Sequence, residues 1–215
     1  MSSERTEPEE PATLVEQVRP ALISVLVLFL TTGVIFPAVL FALGRTLFPH
    51  QANGSLITRG GTAIGSTLIG QPFTRPEYFH GRPSAAGRGY DAAASSGTNL
   101  GPNNPKLIDG AGDFPGIRQL AEQYRRENGI APDTPIPIDA VTRSASGLDP
   151  QISPANAELQ SARVARARGL SESVVRSLVE DHTVRRQFGI LGDPQVSVLE
   201  LNLALDRLGT ESESQ

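Results

Sequence analysis

The residues able to do chemistry are few and badly spaced for it. Histidine occurs at His50, His80 and His182, and none stands at metal-ligand spacing with another histidine or a carboxylate. Cysteine is absent, which removes disulfides and thiolate metal sites and is compatible with any compartment. Ser84, His80 and Asp91 nominally supply a nucleophile, a base and an orienting acid, but no Gly-x-Ser-x-Gly elbow surrounds any serine. Gly60-Gly61 and Gly65 precede no Lys-Ser/Thr pair, so no phosphate-cradling loop of the Walker kind exists, and Leu68-Ile-Gly-Gln71 is too short to imply a nucleotide. Asp139 and Asp149 flank Ser144-Ala-Ser-Gly147. Paired carboxylates can exchange protons, but in a Gly/Ser/Pro-rich loop acids brace turns through bonds to the backbone. Arg163, Arg166 and Arg168 lie on and near the last turns of an expected helix, where a solvated helix end accounts for them through the macrodipole. The expectation is a chain with no catalytic residue, no metal and no cofactor of its own.

The elements around these residues say more. Pro20 to Leu43 is one uncharged apolar run bracketed by Arg19 and Arg45. As a helix it reaches about 36 Å, enough to cross a hydrocarbon core of roughly 30 Å with some tilt. A signal peptide has a shorter core and a basic start, whereas the segment before this run carries Glu4, Glu7, Glu9, Glu10 and Glu16. A buried core helix would show a polar stripe, and Ile23 to Leu30 and Val34 to Leu43 show none. Gly33 and Pro37 are tolerated in membrane helices, and Gly33 with Thr31-Thr32 either lets a partner helix approach closely or simply faces lipid. Arginine is nearly balanced across the run, with Arg5 and Arg19 before it and Arg45 and Arg59 after, so charge alone does not orient it. A short tail, a span and a large domain suit a signal anchor with the tail inside and the domain exported. A net charge of −4 and a pI near 5.4 argue against a nucleic-acid surface.

The remaining residues, about 170, suit one domain. Tryptophan is absent and aromatics are scarce, so its core must be aliphatic. Ser153 and Pro154 start a helix that runs to about Arg168 and stops at Gly169. Ser171 caps the next, whose apolar face is Val174, Val175, Leu178 and Val179. A third is expected over Gly116 to Asn128, from Ile117, Leu120, Ala121 and Tyr124. Strands are expected at Ala63–Ile69, Ile136–Val141 and Gln195–Ser197. Val198 to Leu208 alternates like a strand yet also marks a helical face, and its leucine and alanine content, with Gly209 as a stop, favours the helix. The fold class is α+β: one N-terminal transmembrane helix, then a loop-rich, mainly helical domain with a few short strands. The expected divisions are a polar tail over 1–19, cytoplasmic and mostly disordered, the span over 20–43, an extracytoplasmic domain over 44–209 and a disordered tail over 210–215.

The loops hold the distinctive text. Gly65-Ser-Thr-Leu-Ile-Gly-Gln71, Tyr78-Phe79, Arg82-Pro-Ser-Ala85, Asn99-Leu-Gly-Pro102, Ser146-Gly-Leu-Asp-Pro150, Ile152-Ser-Pro154, Gln160, Arg163-Val-Ala-Arg-Ala-Arg-Gly169 and Val198-Leu-Glu-Leu-Asn-Leu-Ala-Leu205 occur in that order. Together they resemble the C subunit (KdpC) of the Kdp potassium-transporting ATPase, from the span to about Leu208. Gly110 to Gly116, with Pro115, interrupts a region expected to be more continuously helical, and Thr98 and Ser197 stand where the family more often has Ser and Asn.

The resemblance implies a single-pass accessory subunit of a bacterial potassium import complex at the cytoplasmic membrane, with no reaction of its own. Its implied partners are the ATP-hydrolysing pump subunit and the potassium-conducting subunit, beside membrane lipid. Potassium is then the transported ion, and ATP enters only through the pump subunit. Family accounts imply a role in assembly and a raised ATP affinity of the pump subunit, the so-called catalytic chaperone. With the domain outside and ATP inside, that influence must be coupling between separate sites. The candidate partner-contact or loop-bracing residues are Arg82, Ser84, Asn99, Pro102, Ser146, Asp149 and Gln160. The rival readings are a membrane-anchored extracytoplasmic hydrolase or solute-binding domain, which needs a polar pocket and an activated nucleophile, and a cytoplasmic domain that touches nucleotide directly.

Overall fold

The computed structural model describes residues 13–212, and the chain divides into two units at Gly54/Ser55. The first unit is helical: α1 (Leu14–Phe29), a π-helical turn (Leu30–Ile35), α2 (Phe36–Leu47) and the short α3 (Pro49–Ala52). The π turn has a local cause. Pro37 has no N–H to offer the Gly33 carbonyl and its ring would crowd it, so the preceding turn widens and the Phe36 N–H reaches back to Thr31 O. The Thr31 and Thr32 hydroxyls donate to Val27 O and Leu28 O, both at 2.7 Å, so they expose no unpaired donor. Every described residue up to Leu43 is exposed. An apolar helix with nothing packed on any side needs lipid or partner helices around it. The continuous helix Leu14–Leu47 starts ahead of the apolar run, which corrects the expected tail: 14–19 are helical, and 1–12 lie outside the described residues.

The second unit opens with the hairpin β1 (Leu56–Arg59) and β2 (Thr62–Ser66), joined by Gly60-Gly61 at φ +58° and +81°. Both central residues of such a turn need positive φ, hence two glycines. The strand expected to reach Ile69 ends at Ser66, whose hydroxyl accepts from the Leu68 N–H. A long segment without regular structure follows, and then α4 (Pro105–Asp109), α5 (Ile117–Asn128), α6 (Ile138–Val141), β3 (Gln151–Ile152), α7 (Pro154–Arg168), α8 (Glu172–Asp181), β4 (Thr183–Val184), β5 (Gln195–Ser197) and α9 (Val198–Ser212). β3, β5 and β4 form an antiparallel sheet in that order.

Local signals set most of these bounds. Ser153 and Ser171 accept from the Asn156 and Val174 N–H groups, and Gly169 ends α7 at φ +66°. Gly110 ends α4 at φ +80° and α5 restarts after Gly116, so the Gly110–Gly116 interruption divides two helices. Val198–Leu208 is helical, as favoured, but α9 passes Gly209 and runs to Ser212, correcting the stop and the tail expected from 210; residues 213–215 lie outside the described ones. The strand expected over Ile136–Val141 is instead the single helical turn α6. Pro137 cannot donate to a ladder, and Ala140 and Val141 turn inward together beside Tyr124 while Ile138 faces out.

The main core gathers Phe79, Ile152, Val164, Val175, Val179, Val196, Leu201 and Leu205, with Tyr124, Ala140 and Val141 in a smaller cluster. Its buried members among the described residues are aliphatic apart from Phe79 and Tyr124, as the composition requires, with Phe73 packed against them.

Candidate functional site

The segment Arg75 to Ser84 threads through the domain without regular structure, and side chains from α7 and α9 supply the hydrogen bonds a sheet would otherwise give it. Asn202 Oδ1 accepts from the Phe79 N–H at 2.8 Å, and Asn202 Nδ2 donates to Phe79 O at 3.0 Å. Gln160 repeats this at the next residue, accepting from the His80 N–H at 2.8 Å and donating to His80 O at 3.1 Å. Each carboxamide imitates a neighbouring strand for one peptide. Arg163 donates to Pro76 O at 2.6 Å, Tyr78 O at 2.9 Å, Gln160 Oε1 at 2.7 Å and Asn128 Oδ1 at 2.9 Å. Arg168 donates to Glu77 O at 2.7 Å and to Asp206 at 2.9 Å, and stacks over the Tyr78 ring at 4.9 Å. A buried backbone lacking such partners would be strongly destabilising.

This corrects the solvated-helix-end reading of the arginines. Arg166 is exposed, but Arg163 is only 7% exposed and Arg168 is largely covered. Burial draws the Arg163 guanidinium below its ordinary pKa. Burial first, and the Arg163 charge second, draw the His80 imidazole down as well, opposed in part by the Arg75 carbonyl and then by Glu127 at 3.7 Å.

Beyond this cage, Arg82 Nη1 donates to Asp149 Oδ2 at 2.8 Å, while Asp149 Oδ1 accepts from the Gln151 N–H at 3.0 Å. Ser84 donates to Gly147 O at 2.6 Å and accepts from the Ala86 and Tyr90 N–H groups. Tyr90 OH donates to Arg82 O at 2.6 Å, and its pKa is pushed up to about 12 by burial and then by Asp149. Ser146 O accepts from Ser95 Oγ and the Ser96 N–H, and Ser146 Oγ from the Leu148 N–H. Gly147, at φ +68°, lies so close to Ala86 N and Ser96 O that a Cβ has no room. Asp139 accepts from the Ser153 N–H and hydroxyl and from Asn156 Nδ2.

Asp149 therefore braces its own turn, as expected, whereas Asp139, on α6 and not in a loop, ties that helix to the start of α7. Arg82, Ser84, Ser146 and Asp149 come together in one loop clamp, and Gln160 belongs to the cage. Asn99 and Pro102 join neither: both are exposed, with Asn99 at φ +52°. The nominal triad is not assembled, since the Ser84 hydroxyl is engaged as above, His80 Nε2 faces Arg75 O at 3.1 Å and Asp91 accepts from the Ala93 N–H. His80, Arg82, Tyr90, Gln123 and Glu127 line an open cleft of about 260 Å³. Sequence reasoning missed the inward roles of Asn202 and Asn156, and placed Tyr124 on a helix face without its hydroxyl's bond to Asn156 Oδ1 at 2.7 Å. A signal existed: Asn202 lies four residues after Val198, on the same apolar stripe as Leu201 and Leu205.

The comparisons agree with this frame. The family model described as K+-transporting ATPase, c chain, matches residues 18–207. The "Potassium-transporting ATPase KdpC subunit" of Mycobacterium tuberculosis is 52% identical over 192 residues, 89% of this chain and 98% of that protein. Proteins of the same name from Koribacter versatilis (53% over 186 residues, 85% of this chain and 92% of that protein) and Methylococcus capsulatus (52% over 196 residues, 91% and 100%) are similar over comparable lengths. The buried cage, the loop clamp and the apolar run Pro20 to Leu43 all fall within the matched residues, and the chain belongs to the KdpC family.

Proposed function

We propose that this subunit is an exported, membrane-tethered cap on a potassium-transporting ATPase, and that it does no chemistry itself. One observation carries the reading: most polar side chains of its distinctive motifs, exposed Asn99 apart, are spent within the domain itself. Arg82, Ser84, Asp149, Gln160 and Arg163 each hold neighbouring chain in place, so the domain offers a rigid surface, not a reacting group. The bare apolar helix at Leu14–Leu47 suits insertion among the helices of larger membrane partners. The relatives' name, a subunit of a potassium-transporting ATPase, supports the same assignment.

In this reading the domain stabilises the assembled complex at the outer mouth of the potassium path. It raises the ATP affinity of the pump subunit by favouring one global state across the membrane, without touching ATP. Deleting residues 46–215 should abolish or strongly weaken potassium uptake and raise the ATP concentration needed for half-maximal hydrolysis. Full transport with the span alone would overturn the cap. Protease added to intact spheroplasts should digest the domain; complete protection would put it in the cytoplasm and reopen direct nucleotide contact.

A further inference from the structure

Two asparagines of this chain stand immediately before glycine, in Asn53-Gly54 and Asn128-Gly129. Such a pair is chemically weak. Glycine has no Cβ to shield its amide nitrogen or to restrict its dihedral angles, so that nitrogen can swing onto the side-chain carbonyl carbon of the asparagine before it. The two pairs share this chemistry and differ in what the fold puts around them.

Asn128 belongs to the buried cage and is 6% exposed. Its Nδ2 donates to Tyr124 O and its Oδ1 accepts from Arg163 Nε, both at 2.9 Å. Turning this side chain onto the Gly129 nitrogen breaks both bonds and leaves part of the Arg163 guanidinium unpaired in the interior. That guanidinium also holds Pro76 O and Tyr78 O, so the motion requires an opening close to unfolding of the domain.

Asn53 has far less to hold it. It is exposed, as are Gly54 and all four residues of α3, the helix that it ends. Its Nδ2 donates to Pro49 O at 2.6 Å, and the Gly54 N–H donates to Gln51 O at 3.0 Å. Both bonds lie within that single turn. A one-turn helix is marginal in water, so they open locally at small cost. Gly54 stands at φ +85°, and a Cβ there would meet nothing within 4 Å, which leaves room for the rotation.

We infer that Asn53 is a site of spontaneous deamidation in the folded protein, and that the cage protects Asn128 from the same reaction. The Gly54 nitrogen gives its proton to base and bonds to Asn53 Cγ, while the Cγ–Nδ2 bond breaks and ammonia leaves. Water then opens the resulting succinimide at either carbonyl, giving aspartate or isoaspartate at this position. The product adds a negative charge at the end of the first unit. In the iso form it also adds a methylene to the main chain just ahead of the domain. This chemistry needs no partner subunit.

Tryptic mapping of the full chain, kept in detergent and mildly alkaline buffer and sampled over time, tests the inference. Cleavage after Arg45 and Arg59 releases Asn53 on residues 46–59, and cleavage after Arg126 and Arg143 releases Asn128 on residues 127–143. The first peptide should gain the mass of an amide turned acid, and split chromatographically as isoaspartate forms, at least about tenfold faster than the second. In denaturing guanidinium chloride the two rates should converge to within about threefold, because the fold no longer separates the sites. Asn53 persisting in the folded protein as long as Asn128 would overturn the site. A tenfold gap that survives denaturation would assign the difference to flanking sequence and overturn the protection.

Discussion

Phe79 and Phe188 both lie in irregular chain near arginine and glycine, yet Phe79 is wholly enclosed and Phe188 is 90% exposed. Apolar character does not separate them. The fate of the adjoining backbone does. Around Phe79 the peptide groups meet Asn202, Gln160 and Arg163, arriving from helices far along the chain. Around Phe188 they meet only one another. A loop can enter a core when foreign side chains satisfy its N–H and C=O groups; a loop that satisfies them locally stays at the surface and is free to present what it carries.

The sharpest way to break this contrast is Asn202→Leu, which keeps the branched shape and heavy-atom count of the side chain and removes the partners of both the Phe79 N–H and the Phe79 carbonyl. Each buried group left unpaired is worth about 1–3 kcal/mol, so the loss should be roughly 2–6 kcal/mol. Urea unfolding of the full chain in detergent, followed by tyrosine fluorescence, measures it. A loss under about 1 kcal/mol would mean that the cage is decorative.

Asp149→Asn probes the loop clamp instead. It removes the charge facing Arg82 but leaves an acceptor for the Gln151 N–H. With both side chains about a quarter exposed, the expected loss is smaller, about 1–2 kcal/mol, by the same measurement.

His80 adds a pH signature to the cage. Its native pKa lies below the ordinary 6.5, so the unfolded chain binds the proton first as pH falls. Its contribution is therefore neutral above the histidine range. Stability declines as pH drops through about 6.5, and levels off below the depressed native value. The slope from this group is at most about 1.4 kcal/mol per pH unit. His80→Gln should flatten the decline between neutral pH and pH 5 in urea midpoints; an unchanged slope would assign it to other groups.

The smallest effect belongs to the exposed loops. Pro102→Ala should shift stability by no more than about 0.5 kcal/mol, because the residue joins neither the cage nor the clamp. A larger shift would show that the 97–104 loop is braced after all.

Much of this was legible because the signals are local. The bounds of α7 follow from Ser153-Pro154 and Gly169, and the membrane helix from an uninterrupted apolar run. The Ile136–Val141 expectation failed for a reason also local, Pro137 at the helix start, which alternation alone conceals. The candidate residues divided less predictably. Arg82, Ser84, Ser146 and Asp149 converge in the structure from two stretches roughly sixty residues apart, whereas Asn99 and Pro102, equally distinctive as text, meet neither.

By itself the sequence determined a membrane-tethered, cysteine-free α+β chain whose helix ends and turns are written in adjacent residues, since caps, glycine stops and apolar runs act over one or two turns. Only the tertiary structure decided that Gln160, Arg163 and Asn202 face inward. Their partners, the backbone groups of Pro76 to His80, lie 80 to 123 residues away for the two carboxamides. A polar side chain on an apolar helix face is stable there only once that distant backbone has been brought against it.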